Sequence, residues 1–190
     1  SPVTFIFEGG VHHQDSRGNN NTIYKGGIQW MNAGMGMIHS ERPPADIQSH
    51  GGVQELIQLW VNTPAKHKMD IPSYQPLTKE ETPTIISADG LTQINIIAGQ
   101  LENVKGPIHT LSAVNTFTVN MKKGAKYFFD IPKSHNAFIY LMQGQIAVTG
   151  NSVIEEKYVA SFHLDGEGFE LEALADTHFF IGTGEPLNEP

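Results

Sequence analysis

Gly26-Gly27-Ile28-Gln29-Trp30-Met31-Asn32-Ala33-Gly34-Met35-Gly36-Met37-Ile38-His39-Ser40-Glu41 is the stretch around which the chain is organised. Two short apolar runs, Ile28–Met31 and Met37–Glu41, flank a turn with glycines at 34 and 36, a pattern that predicts a strand, a tight turn and a second strand in a hairpin. Side chains alternate along a strand, so His39 and Glu41 share one face and Ser40 takes the other. An imidazole and a carboxylate so placed can both reach one metal ion, and iron(II) accepts a mixed nitrogen and oxygen set. An isolated His-x-Glu is more often a hydrogen-bonded histidine beside a solvated strand end. The surrounding chain has to decide between the two.

Upstream, Ser1–Gly9 begins within an apolar strand, and Gly9-Gly10 punctuates it. Val11–Asp15 carries His12 and His13, neighbours that point to opposite faces; the pair reads as a surface feature or as a group that orients a ligand without touching the metal. Arg17-Gly18-Asn19-Asn20-Asn21 is a turn. Downstream, Arg42–Gly52 is polar and Pro-rich and reads as a loop, with His50 solvated. Val53–Val61 is β-prone and predicts a strand buried on both faces. Leu77–Pro83, polar and bounded by proline, is the candidate link between halves.

The second half alternates short apolar runs with turns: Thr84–Ser87, Leu91–Ala98, Thr116–Met121, Tyr127–Ile131, Ala137–Gln143, Ile146–Thr149, Ser152–Phe162, Phe169–Ala173 and Thr177–Ile181. Asp89-Gly90 between apolar runs is a hairpin signal. Helical periodicity is hard to find over any window of twelve or more, so the chain is all-β. Phe5–Val11 is echoed by Phe138–Ile146, each an apolar strand ending at glycine and restarting on a β-branched residue. Such self-similarity favours duplication of one β-barrel.

The run Gln29–Glu41 closely resembles the signature of the pirin family, a branch of the cupins. Leu56–Met69, followed by Tyr74-Gln75, resembles the family's next block, and Gly184–Pro190 resembles a third. The resemblance implies two tandem cupin (jelly-roll) barrels, a bicupin, with an N-terminal metal-bearing barrel over 1–76 and a metal-free C-terminal barrel over 84–190. Jelly rolls avoid exposed edges by folding a double sheet. The resemblance also implies that His39 and Glu41 are two of four ligands to one Fe(II) per chain. The other two belong to a His-Pro-His-Arg-Gly type segment before the first strand, which the chain as given lacks, and family members continue past Pro190. The expectation is weak iron binding by this chain alone. Phe7, Trp30 and Met37 are expected to wall an apolar pocket round the metal, as apolar side chains do in most ligand sites.

The implied activity is that of a quercetin 2,3-dioxygenase, an iron-dependent oxidoreductase acting on a flavonol, with Glu41 as a possible acceptor of a substrate proton. The alternative the resemblance carries is an iron-dependent redox sensor that binds a transcription factor or an enzyme. A cytoplasmic location is expected, or a nuclear one in a eukaryote.

Composition narrows the field. The 190 residues carry 12 Lys and Arg against 20 Asp and Glu, a formal charge of −8. With no basic cluster, direct nucleic-acid binding is not expected, since phosphate neutralisation needs concentrated positive charge. No run reaches the roughly 20 apolar residues of a membrane helix. The chain has no cysteine, which removes disulfides, thiolate ligands and cysteine nucleophiles. His135 and His178 raise a second metal site in the C-terminal half, but no His-x-Glu or His-x-His pattern accompanies them, and metal sites need ligand count and geometry together. His67, His109 and His163 read as surface or hydrogen-bonded residues.

Overall fold

Short runs of two to eight residues, alternating in burial or buried throughout and separated by Gly, Asn and Pro turns, give strands throughout the described residues. The computed structural model describes residues 1–148 and 152–189. By its internal contacts the chain divides into two units, Ser1–Thr82 with Glu189, and Pro83–Asn188.

The first unit holds β1 (Pro2–Glu8), β2 (Gly10–Asp15), β3 (Asn20–Tyr24), β4 (Ile28–Asn32), β5 (His39–Arg42), α1 (Ala45–His50), β6 (Glu55–Trp60) and β7 (Ser73–Leu77). Four strands form one sheet in the order β6-β1-β4-β7, and three form another in the order β3-β2-β5. All neighbours are antiparallel. Ile6, Val11 and Ile23 form a small apolar cluster.

The second unit holds β8 (Thr84–Ile86), β9 (Thr92–Ala98), β10 (Gln100–Leu101), β11 (Val104–Lys105), β12 (Val114–Met121), β13 (Lys126–Asp130), β14 (Asn136–Gln143), β15 (Gln145–Val148), β16 (Ser152–Glu155), β17 (Val159–Ser161), β18 (Gly168–Ala173) and β19 (Thr177–Gly184). A six-stranded sheet, β17-β14-β19-β12-β9-β8, and a four-stranded sheet, β13-β18-β15-β16, supply its core; β10 and β11 pair separately. Phe117, Phe129, Ile139, Leu141, Leu171 and Phe179 are fully buried in that core. Each such side chain contributes about 1.5–3 kcal/mol by leaving water. The fold is all-β.

The internal echo has a shared backbone cause. β1 passes to β2 through Gly9 at φ +77°, and β14 passes to β15 through Gly144 at φ +89°. A side chain at either place would be strained by the left-handed conformation. It would also strike a carbonyl oxygen, that of Val53 at 2.6 Å from a Cβ on Gly9, and that of Asp176 for one on Gly144.

Four local expectations need correction. β4 and β5 are not a hairpin: β4 pairs with β1 and β7, whereas β5 pairs with β2. Between them residues 33–38 cross from one sheet to the other. Met35 N–H donates to Asp70 O, and the backbone of Ile38 is tied to Ser16, which sets β5 beside β2. Met37 therefore precedes the strand. Second, β6 is an edge strand whose residues alternate in exposure, with Leu56 and Trp60 exposed; β-propensity says nothing about how many faces are covered. Third, Arg42–Gly52 contains α1, started after Pro44 and closed at Gly51, whose N–H donates to Ile47 O. Fourth, Ser152–Phe162 is two strands, broken at Glu156-Lys157 with Lys157 at φ +70°. Thr149, the expected end of a strand, and Pro190, the expected end of the C-terminal domain, lie outside the described residues.

Candidate metal centre

The register of β2 against β5 assembles the site. His13 stands opposite Glu41, and Asp15 opposite His39. Residues directly paired in an antiparallel ladder project to the same side, so these four groups share one face. The other sheet of the unit supplies the opposing wall. Thr4 of β1 is paired with both Gln29 of β4 and Gln58 of β6, and all three point at Glu41.

Glu41 is the hub. Its Oε1 accepts from Gln29 Nε2 at 2.6 Å and, more weakly, from Thr4 Oγ1 at 3.5 Å. Its Oε2 accepts from Gln58 Nε2 at 3.0 Å. Gln29 is held in turn by Tyr74 of β7, whose hydroxyl donates to Gln29 Oε1 at 2.7 Å. That bond also fixes which end of the Gln29 amide faces Glu41. Burial, with the nearby charges of Glu41 and Asp15, pushes the Tyr74 hydroxyl above its ordinary value, so it stays protonated and a donor.

His13 closes the cluster from behind. It is fully buried, and its ring stacks on Tyr74 at 4.1 Å between centroids, 9° from parallel. His39 lies beyond it at 5.7 Å. His13 Nε2 is 3.1 Å from Asp15 Oδ2. Burial would raise the Asp15 carboxyl, but bonds from Asn19, from His13 and from the backbone N–H groups of Arg17 and Asn19 outweigh it and hold the group at about 2. Asp15 is thus a carboxylate and can only accept, so His13 Nε2 carries the proton. His13 Nδ1 has no hydrogen-bond partner and lies 3.9 Å from Glu41 Oε1.

The positions expected from sequence fall out unevenly. His39 and Glu41 share a face, as the alternation requires. His12 and His13 do point apart: His12 bonds Asn20 outside, at 2.7 Å, while His13 faces the carboxylate. Trp30 is a correction. Its neighbour Gln29 faces Glu41, so Trp30, opposite Val3, faces the other way and is buried there. Phe7 is buried at a register shift between Ile6 and Glu8, and Met37 is half-buried in the crossing connection. The groups that do wall the site are Thr4, Gln29, Gln58 and Tyr74, which sequence reading missed. The available signal was polarity out of place, a Thr or Gln interrupting an apolar strand at an inward position.

His39 and Glu41 offer the nitrogen and oxygen donors that suit iron. His13 Nδ1, buried and without a hydrogen-bond partner, is a further nitrogen beside the Glu41 carboxylate. The donor chemistry therefore fits a metal, though among the described residues no group of three or more His, Cys, Asp or Glu is arranged to hold one.

The pirin family model matches residues 1–61, and the model for the pirin C-terminal cupin domain matches residues 116–190. The chain belongs to the pirin family. It is 36% identical over 99% of its length to a Pseudomonas aeruginosa protein named provisionally as a quercetin 2,3-dioxygenase, covering 65% of that protein. It is 33% identical to human pirin, over 99% of its own length and 64% of that of pirin. The crystal structure of quercetin 2,3-dioxygenase from Acinetobacter baumannii superposes on the whole chain with a TM-score of 0.95 at 36% identity, over 66% of that molecule. The chain thus spans about two-thirds of the pirins it matches.

Proposed function

We propose that this pirin-family chain carries the iron(II) centre of a dioxygenase acting on a flavonol such as quercetin, with His39 and Glu41 as ligands to one Fe(II). The observation that carries the reading is the Glu41 cage: a single carboxylate on a barrel wall, held by two glutamine amides and a threonine hydroxyl, with a histidine on the same face two residues away. The names of the Pseudomonas and Acinetobacter relatives supply the reaction class.

Iron(II) supplies redox and Lewis-acid chemistry to such a reaction. The chain's own residues do the rest. Gln29 and Gln58 fix the rotamer of Glu41 by donating to opposite oxygens, so that its charge is directed rather than free to swing. Tyr74 and the His13–Asp15 pair hold Gln29 and the rear of the site in place, the outer support that metal ligands require. In this reading Glu41 also accepts a substrate hydroxyl proton, a role that competes with its bonds to the amides.

Oxygen uptake by the Fe(II)-reconstituted protein with quercetin tests the proposal. Uptake that follows iron content, and a fall in both iron content and turnover for Glu41→Gln, are expected. Full iron occupancy without oxygen uptake on several flavonols overturns the enzyme reading. Ferrous and ferric forms that then differ in binding to a protein partner would put the sensor in its place.

A further inference from the structure

The second unit has a cavity of its own. It has a volume of about 310 Å³, at the small end of the roughly 300–1,000 Å³ typical of small-molecule sites. Two loops form its rim. One, 131–135, follows β13 and brings up Lys133 and His135; the other, 162–167, precedes β18 and brings up His163 and Asp165. The floor is apolar, with Ile154 and Phe169 buried. Phe162 and Phe169 lie face to face, 4.0 Å apart and 7° from parallel.

A chain of hydrogen bonds sets the proton on the half-buried polar group in this lining. Gln100 N–H donates to Asn115 Oδ1 at 3.0 Å, which fixes the Asn115 amide with its NH₂ toward Thr183. Asn115 Nδ2 donates to Thr183 Oγ1 at 3.0 Å. The Thr183 hydroxyl, having accepted that bond, has its own proton to give to His135 Nδ1, 2.9 Å away. With His135 Nδ1 accepting that proton, the neutral ring carries its hydrogen on Nε2. Burial lowers the pKa of His135, against a smaller opposing pull from Glu185, so the neutral ring is favoured. His135, with Nδ1 so engaged, brings an Nε2–H donor to this lining beside the Lys133 ammonium.

We infer that this cavity is a binding site for a small, single-ring aromatic carboxylate. An aromatic floor and the small volume select one ring, since flat rings stack favourably on other rings. The His135 Nε2–H and the ammonium of Lys133 select a carboxylate at the ring's end. Lys133 is paired with Glu167 at 2.6 Å, but both side chains are over two-thirds exposed. Such pairs are weak in water, and the ammonium keeps further donors to offer. Asp165 lies on the same rim and opposes the carboxylate, so the stacking of the ring and the two donors must outweigh it. The inference does not depend on the metal centre of the first unit.

The test is a titration of the chain with sodium benzoate, and separately with neutral benzamide, followed by heteronuclear NMR. Saturable benzoate binding is expected with a Kd of about 1 mM or tighter, with shift changes clustered at 131–137 and 160–169. Lys133→Gln should weaken benzoate at least about threefold and leave benzamide unchanged, and His135→Leu should weaken both by about fivefold, the loss of one hydrogen bond. Lys133 is exposed, so its variant decides the matter even where His135→Leu fails to fold. Non-saturable shifts, changes confined to residues 1–82, or benzoate affinity indifferent to Lys133→Gln overturn the site.

Discussion

Gln29 and Glu41 stand on strands of different sheets, yet Gln29 Nε2 donates to Glu41 Oε1 across 2.6 Å. This bond ties the sheet that carries the proposed ligands to the sheet that supports them. Gln29→Leu keeps the size and removes the bond, leaving both Glu41 Oε1 and the Tyr74 hydroxyl short of a partner. A loss of about 1–3 kcal/mol in urea unfolding is expected, with iron content falling in the same variant. Unchanged stability would mean that the bond contributes nothing net.

His39→Ala should lower bound iron per chain by metal analysis, because one of the proposed ligands is gone. His12→Ala should not, since His12 faces outward and bonds Asn20. Equal loss in both variants would point to a general effect on folding instead.

Asp15 gives a pH dependence with a definite sign. Its folded pKa, about 2, lies below the ordinary 3.8. A depressed carboxyl contributes stability that is fully present above the ordinary value and is lost as pH falls through the folded one. Urea midpoints should therefore decline between about pH 4 and pH 2, and Asp15→Asn should flatten that decline. An identical acid limb in the variant would rule out this assignment.

Gly9→Ala and Gly144→Ala should each destabilise by about 1–3 kcal/mol, because both combine positive φ with a steric clash. Gly124→Ala is the control for φ alone, since at φ +85° nothing lies within 4 Å of its Cβ. It should cost less than either in thermal unfolding.

Much of the fold was legible because strand alternation and turn chemistry are local. The second unit's longer strands follow its apolar runs, β10 and β11 correspond to no run, and Ser152–Phe162 divides into β16 and β17 where Lys157 adopts a left-handed conformation with no Gly or Asn to announce it. The crossing from β4 to β5 was hidden because a Gly-containing turn looks alike whether the next strand returns to the same sheet or joins the opposite one. Only the long-range ties of Ile38 to Ser16 and Met35 to Asp70 decide. The same holds at the site. His39 and Glu41 are two residues apart and visible as a pair, whereas His13, Gln29 and Gln58 meet Glu41, and Tyr74 meets Gln29, through register, which composition does not record. Trp30 was misplaced by one residue of alternation, the smallest error that moves a side chain to the other face.

β5 is only four residues long and sits at the outer position of its sheet, bonded to β2 on one side. Local opening of such a strand costs less than unfolding the unit. Amide hydrogens of residues 39–42 should then exchange faster than those of β1 and β4, and bound metal should slow them selectively. The lifetime of the assembled centre would be set by how often this one short strand peels away, not by how stable the whole barrel is.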